Sequence, residues 1–399
     1  MRTAADRYPL VDALRAIAAI AVLGTHAAFF AGAEAPGSLT GHFTMRLEVG
    51  VAIFFCISGF LLYRPFAAAR ADCAPAVATG AYAWRRLLRI VPAYWVALVL
   101  SAWWLGKSDV FTGGGLWTYF GFAQTWREAT IGGGLTQAWT LCVEVVFYAF
   151  LPVWAWLMRR TGRSLRAEAI GLAALFTISV AWKVVVLATG PQAQIRVTPE
   201  LLALPAYLDQ FALGMGLAVL SLWLRDGPEP RWARLADFSW AFAAVAFVVV
   251  SLGIGIGDRL FEAMTPEQYL ARHYLYALIG IAMLAPAVVG TARGGPVRAL
   301  LANRALAWLG LVSYGIYLWH DTVLALIARW HFESIAVPHP YIAWPVAGLA
   351  GATLIAAISW YGLERPILSL RRLVPARGGR AGGHETPMAD GLAAAPRAD

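Results

Sequence analysis

The fold of this chain is decided by residues 8–31, YPLVDALRAIAAIAVLGTHAAFFA, which are long and apolar enough to cross a bilayer. Three ionisable residues stand within this stretch: Asp12, Arg15 and His26. On an α-helix, Arg15 and His26 lie about 16 Å apart along the axis and within about 20° of the same face. We therefore expect a membrane-spanning helix whose polar face contacts other helices or a water-filled cavity. The alternative is a packing histidine and an arginine that extends to the membrane surface.

The whole chain has the composition of an integral membrane protein. Hydrophobic residues make up 60% of it and charged residues 14%, and the mean hydropathy is +0.62. Apolar runs of suitable length predict an all-α bundle of about ten transmembrane helices, near 10–31, 48–66, 91–106, 136–158, 167–189, 204–224, 236–256, 274–292, 305–328 and 342–362.

The arginines between the apolar runs predict the orientation of the chain. If the N-terminus is cytoplasmic, the basic segments at 85–89, 159–166, 225–234 and 292–304 all fall on the cytoplasmic side. Both termini are then expected in the cytoplasm and the protein in the cell membrane. Because these segments form no single basic face, topology explains the net charge of +9 better than binding to nucleic acid does.

The domain organisation is expected to be simple, with one multi-pass membrane domain over residues 1–370. The first span is interpreted as a retained signal anchor because no obvious cleavage site precedes the next span. Residues 371–399 are rich in Gly, Pro and Ala and are predicted to be a disordered cytoplasmic tail. The three cysteines are scattered without ligand spacing, so we predict neither a disulfide framework nor a metal site.

Polar residues recur inside other apolar runs. Glu144 lies about two turns into the fourth span, where an unpaired carboxylate is strongly disfavoured. The ninth span, LGLVSYGIYLWHDTVLALI, places His320 in its outer half beside Asp321. Near the third span, Arg86 and Arg89 project from the same side of a helix. This pair suits the binding of phosphate, although a cytoplasmic membrane boundary also needs arginines for topology alone.

The order of these motifs resembles the membrane-bound acyltransferase-3 family, whose members move acyl groups, usually acetyl, onto hydroxyls of sugars, glycans or antibiotics. The resemblance covers residues 8–370. It rests on VDALRAIAAIAVLGTH, VGVAIFFCISGFLL, RRLLRIVPAYW, AWTLCVEVVFYAFLP, LDQFALGMGLAV, LGLVSYGIYLWH and GLERP. By motif, the resemblance implies functional roles for His26, Arg15, Arg86 and Arg89. The acceptors that it implies are a glycan, a lipid-linked sugar or a macrolide.

Acyl transfer to an alcohol needs an activated acyl donor and a base for the hydroxyl proton. If the donor is acyl-coenzyme A, most simply acetyl-coenzyme A, its phosphates need a cytoplasmic basic site, for which Arg86 and Arg89 with Arg15 are the candidates. The coenzyme would be a co-substrate, and no permanently bound cofactor is expected.

The candidate catalytic residues are His26, Glu144 and His320. His26 is the predicted base, Glu144 the carboxylate that orients it, and His320 a second group on the acceptor side. The competing hypothesis is a transporter or flippase in which the intramembrane ionisable residues form a proton or substrate path. Turnover of the acetyl-coenzyme A thioester by purified protein would distinguish the two.

Overall fold

The computed structural model describes residues 8–32, 38–162, 164–190, 197–225, 230–254, 264–289, 294–330 and 339–374. Within these ranges the ten longest α-helices are α1 (Pro9–Phe30), α2 (Gly50–Ala71), α3 (Thr79–Leu105), α4 (Trp139–Arg160), α5 (Leu165–Thr189), α6 (Leu204–Trp223), α7 (Phe238–Val248), α8 (Pro266–Val288), α9 (Arg304–Arg329) and α10 (Pro340–Ser359). Shorter helices are Leu39–Thr44, Gly115–Phe120, Pro296–Leu301 and Arg365–Leu368. Turns of π-helix at Val249–Gly253 and Trp360–Glu364 extend α7 and α10. The predicted all-α fold is confirmed, whereas residues 375–399 of the predicted tail lie outside the described ranges.

Nine helices of the described ranges are long and apolar enough to span a membrane. The directions of the helices add a tenth crossing, by the shorter α7. α7 lies antiparallel to α8, because Ser239 donates a hydrogen bond to the carbonyl of Ala282 at one end and Gln268 donates one to Ile254 at the other. α1 and α9 pack in parallel, so the number of crossings between them must be odd. Without α7 that number would be even. The predicted bundle of about ten spans is thus confirmed.

The third span begins earlier than predicted. Hydropathy placed it near 91–106, but α3 runs over Thr79–Leu105 and includes Arg85, Arg86 and Arg89. Hydropathy excludes arginine from a span because of its charge, whereas arginine is one of the better helix-forming residues. The arginines are therefore held on a regular helix rather than in the loop that precedes it.

Glycines bring the central helices α2 and α6 into backbone contact. A Cβ at Gly59 would collide with the backbone of Phe211, and a Cβ at Gly214 would collide with the backbone of Cys56. Small residues at helix interfaces allow this close approach inside a membrane. The Gly59 and Gly214 contacts therefore pack α2 directly against α6.

A buried ion pair joins α5, α6 and α8 away from the candidate site residues. The ammonium of Lys183 lies 2.6 Å from Oδ2 of Asp209 and also donates to Ser179 and to the carbonyl of Ala206, both at 2.9 Å. Nε2 of His273 lies 2.8 Å from the same carboxylate oxygen. Lys183 and Asp209 are both completely buried. Since three acceptors take the three ammonium protons, the cluster forms a satisfied electrostatic link between the three helices.

We expect Lys183→Met to destabilise the protein, because it leaves Asp209 buried without its counter-ion. Breaking such a pair costs about 3–5 kcal/mol, whereas replacing both partners with apolar residues is often neutral. The double variant Lys183→Met with Asp209→Leu should therefore regain part of the loss, although buried His273 then loses its acceptor on Asp209. Thermal unfolding in detergent would measure both effects, and a single variant as stable as the wild type would contradict this account.

The tenth crossing predicts that the two ends of α7 are accessible from opposite sides of the membrane. In a Cys73→Ser background, Glu267→Cys should react with a membrane-impermeant maleimide in intact cells. Trp232→Cys should react only after permeabilisation, because the basic residues near it predict a cytoplasmic position. Both wild-type side chains are exposed. Labelling of both sites from one side would show that α7 does not cross.

Candidate active site

The candidate residues fall at two ends of a polar face on α1. The arginine end is defined by Arg15, Arg86 and Arg89, and the histidine end by His26 and His320. Along α1, Arg15 and His26 are separated by about 16 Å at 1.5 Å per residue. α9 accompanies α1 in parallel over this distance. The two helices therefore form a common wall between the two ends.

The arginine end collects charges from several helices. Arg15 interacts electrostatically with Arg89 of α3 and with Glu144 of α4, and its closest carboxylate oxygen belongs to Asp12 at 3.9 Å. Glu364, at the end of the π-helical turn after α10, interacts with both Arg15 and Arg89. The sequence-predicted arginines of α1 and α3 are thus brought together, although they lie far apart in the chain.

Arg89 stands out because its guanidinium is buried with unused donors. Its central carbon lies 5.8 Å from the ring centroid of Tyr314 and 5.5 Å from that of Trp360. Both terminal nitrogens are buried, and neither has a hydrogen-bond partner in the described part of the chain. Leaving charged donors unpaired away from water is costly. An anion with several oxygens would satisfy them.

Glu144 has neighbours other than the histidine predicted for it. Ser58 of α2 donates a hydrogen bond to Oε1 of Glu144 at 2.6 Å, and the hydroxyl of Tyr148 interacts electrostatically with this carboxylate. Its negative charge acts on Arg15. Glu144 is therefore positioned to balance the charge of the arginine end.

His26 and His320 meet at the other end of the site. Nε2 of His320 lies 3.1 Å from Nδ1 of His26, and the ring centroids are 4.9 Å apart with a tilt of 47°. Nδ1 of His26 also lies 3.0 Å from the carbonyl of Val22, and Nδ1 of His320 lies 2.7 Å from the carbonyl of Tyr317. His320 is completely buried, whereas His26 is partly exposed. The structure thus joins two histidines that the sequence singled out separately.

The turn of α9 that carries His320 is anchored to the start of α4. The hydroxyl of Tyr317 hydrogen-bonds to Thr140 at 2.8 Å and to the carbonyl of Gln137 at 2.9 Å. The amide of Gln137 donates to the carbonyl of Leu318 at 2.7 Å. Sequence reasoning missed Gln137 and Thr140, because a Gln or Thr at a helix start is common in any protein. Their contacts fix the backbone that orients the His320 ring.

These features allow two chemical tasks to be performed at separate places. The arginine end can hold a polyanion, and the histidine end offers an imidazole that is accessible on one side. An extended molecule with a phosphate group at one end and a reactive group at the other would fit both. The arrangement is suited to bringing a reactive group to a base inside the membrane.

Comparison with known proteins identifies the family. Residues 8–362 match the family described as an acyltransferase domain, acyltransferase-3. The chain is 29% identical over 331 residues to a protein named membrane-bound transacylase BcsY of Komagataeibacter xylinus, which covers 78% of this chain and 71% of the relative. No solved structure matches the chain.

Two further relatives have names that state a product or an acceptor. The peptidoglycan O-acetyltransferase OatA of Listeria monocytogenes is 22% identical over 375 residues, which cover 90% of this chain but 55% of the relative. The exopolysaccharide production protein ExoZ of Rhizobium meliloti is 28% identical over 351 residues, which cover 86% of this chain and 97% of the relative. The family match covers most of the chain and every residue of the site except Glu364. The chain therefore belongs to the acyltransferase-3 family and is a membrane-bound acyltransferase.

Proposed function

We propose that this protein transfers an acyl group, most simply acetyl, from acyl-coenzyme A to a hydroxyl of a carbohydrate or cell-envelope glycan. The observation that carries the proposal is the buried guanidinium of Arg89, with unpaired terminal nitrogens, beside Tyr314 of α9, the helix that also carries His320 of the histidine pair. The names of OatA and ExoZ, which refer to peptidoglycan and exopolysaccharide, support a glycan as acceptor.

The arginine end would bind the phosphates of the donor. Arg89 offers two unpaired terminal nitrogens, and Arg15 has a single carboxylate at 3.9 Å. Arg86 lies one turn from Arg89 on α3 and interacts electrostatically with Tyr148, as Glu144 does. Guanidinium groups bind phosphate through two parallel hydrogen bonds, which fixes orientation as well as position. The pantetheine arm would then run along α1 for about 16 Å towards His26.

The chemical step would take place at His26. The imidazole takes the proton of the acceptor hydroxyl as the oxygen attacks the thioester carbonyl, and the new C–O bond forms. The tetrahedral intermediate then expels the coenzyme thiolate, which receives the proton from the imidazolium. The acyl group passes directly between the substrates, and His26 is neutral again at the end.

The predicted orientation would give the two ends different access. With the N-terminus in the cytoplasm, the arginine end faces the cytoplasm, where acyl-coenzyme A is made. The histidine end then lies nearer the outer surface, where envelope glycans are located. A single passage along α1 would in this way carry the acyl group across most of the membrane.

We expect Arg89→Lys to weaken the binding of acetyl-coenzyme A roughly 10-fold to 100-fold, which corresponds to one lost charged hydrogen bond. Lysine keeps the charge but cannot form the two parallel hydrogen bonds of a guanidinium. Arg304→Lys is the matched control, because Arg304 is exposed at the start of α9. Equilibrium binding to purified protein measures the effect. Equal affinities in both variants would limit Arg89 to a structural role.

We expect His26→Gln to retain folding and binding of acetyl-coenzyme A while transfer falls about 10²-fold to 10⁴-fold, the usual effect of losing a general base. The amide fills the same space but accepts no proton at neutral pH. Release of coenzyme A thiol from acetyl-coenzyme A, in membranes that contain the host's own glycans, measures the rate. His42→Gln provides a control outside the site. A near-native rate in His26→Gln would remove His26 from the mechanism, and a wild-type protein without thioester turnover would favour a transporter.

A further inference from the structure

The hydrogen bonds of the histidine pair determine which ring nitrogens carry protons. Nδ1 of His320 lies 2.7 Å from the carbonyl of Tyr317. A carbonyl oxygen only accepts hydrogen bonds, so Nδ1 must carry the proton. In the neutral ring, Nε2 of His320 then has a lone pair that points to His26. Nε2 of His320 is therefore the hydrogen-bond acceptor in its contact with Nδ1 of His26.

The hydrogen-bond contacts of His26 determine its tautomer in the same way. Its Nδ1 lies 3.0 Å from the carbonyl of Val22 and 3.1 Å from Nε2 of His320. Both of these atoms are acceptors, so Nδ1 of His26 carries the proton. The reverse assignment would place a lone pair of His26 against the carbonyl of Val22. One arrangement therefore satisfies all three contacts, and it leaves Nε2 of His26 with the free lone pair.

We propose that His320 is a positioning residue that holds His26 in this tautomer and makes Nε2 of His26 the basic atom. This inference rests on the proposed acyl transfer and replaces the predicted acceptor-side role of His320. As the acceptor O–H bond breaks, an Nε2–H bond forms on His26. The positive charge that develops is stabilised at Nδ1–H by the lone pair of His320. His320 itself neither gains nor loses a proton, and the Nε2 proton leaves with the thiolate.

The burial of His320 explains why a neutral group has this position. A carboxylate usually orients a catalytic histidine. His320 is completely buried in the membrane domain, where an ionised carboxylate would be costly before the base becomes charged. An imidazole offers the same acceptor atom without that charge. Two carboxylates of the site do not occupy this position. Glu144 accepts a hydrogen bond from Ser58, and Asp321 lies about 100° around α9 from His320.

Two substitutions at His320 separate orientation from simple packing. His320→Gln can place its carbonyl oxygen near the position of Nε2 and so still accept from His26. His320→Asn can place its amide near Nδ1 and donate to the carbonyl of Tyr317, but it reaches no further towards His26. We expect kcat with acetyl-coenzyme A to fall less than tenfold in His320→Gln and about 10²-fold or more in His320→Asn. KM for the donor should be unchanged in both variants. Equal losses in the two variants would overturn the positioning role.

A second measurement needs no substrate. Nitrogen-15 NMR of histidine-labelled protein in lipid nanodiscs reports which nitrogen of each ring is protonated, and the His26→Gln protein identifies the His26 signals. We expect a protonated Nδ1 and an unprotonated Nε2 on His26 in the wild type and in His320→Gln. In His320→Asn only the carbonyl of Val22 still accepts from Nδ1, so we expect a smaller fraction of His26 in this tautomer. A protonated Nε2 on His26 in a wild-type protein that is active would overturn the positioning role of His320 but not the proposed acyl transfer. Wild-type protein with the expected tautomer but no turnover of acetyl-coenzyme A would instead count against the proposed function.

Discussion

A polar group inside a bilayer must find a partner within the protein, and this constraint organises the whole structure. Water is absent from the hydrocarbon region, so each unpaired polar group costs several kcal/mol. Lys183 pairs with Asp209, and Glu144 accepts from Ser58. The terminal nitrogens of Arg89 are among the buried side-chain atoms of the described residues that have no such partner. Because two charged donors are left unpaired on one side chain, we propose that Arg89 binds a ligand.

Acyl transfer to an envelope glycan poses a topological problem, because the proposed donor is made in the cytoplasm and the acceptor lies outside. The structure offers a physical solution in the parallel pair α1 and α9. One end of this pair carries Arg15 beside Arg89 of α3, and the other end carries the two imidazoles, which suits the proposed donor with its phosphates and thioester. The donor itself would then be the element that crosses the membrane, and no large movement of the helices is needed.

Much of this could be predicted from the sequence because membrane helices follow simple rules. The apolar length of residues 8–31 and the periodicity of the polar residues in that stretch predicted α1 and its inward face. The early start of α3 could not be predicted, since hydropathy does not register the helix propensity of arginine. Asp209 and His273 could not be predicted as partners of Lys183, because they lie on other helices and no local sequence pattern indicates the contacts.

The contact between His26 and His320 shows the same limit within the site itself. The two residues are separated by 294 positions, and the ring geometry depends on carbonyls that any residue could supply. Sequence reasoning could select both histidines because ionisable groups are rare inside apolar spans. It assigned Glu144 as the neighbour of His26 because a carboxylate is the common partner, whereas the packing of α1 against α9 places an imidazole there.

A cryo-electron microscopy structure of the protein with a non-transferable acetyl-coenzyme A analogue would show which residues the phosphates and the acyl group contact. We expect phosphate density against Arg89 and Arg15. We also expect the carbonyl carbon of the analogue near Nε2 of His26, with room for an acceptor oxygen about 3–3.5 Å from that carbon. Coenzyme bound with its phosphates away from these arginines, or with its acyl end away from the histidine pair, would contradict the proposed function.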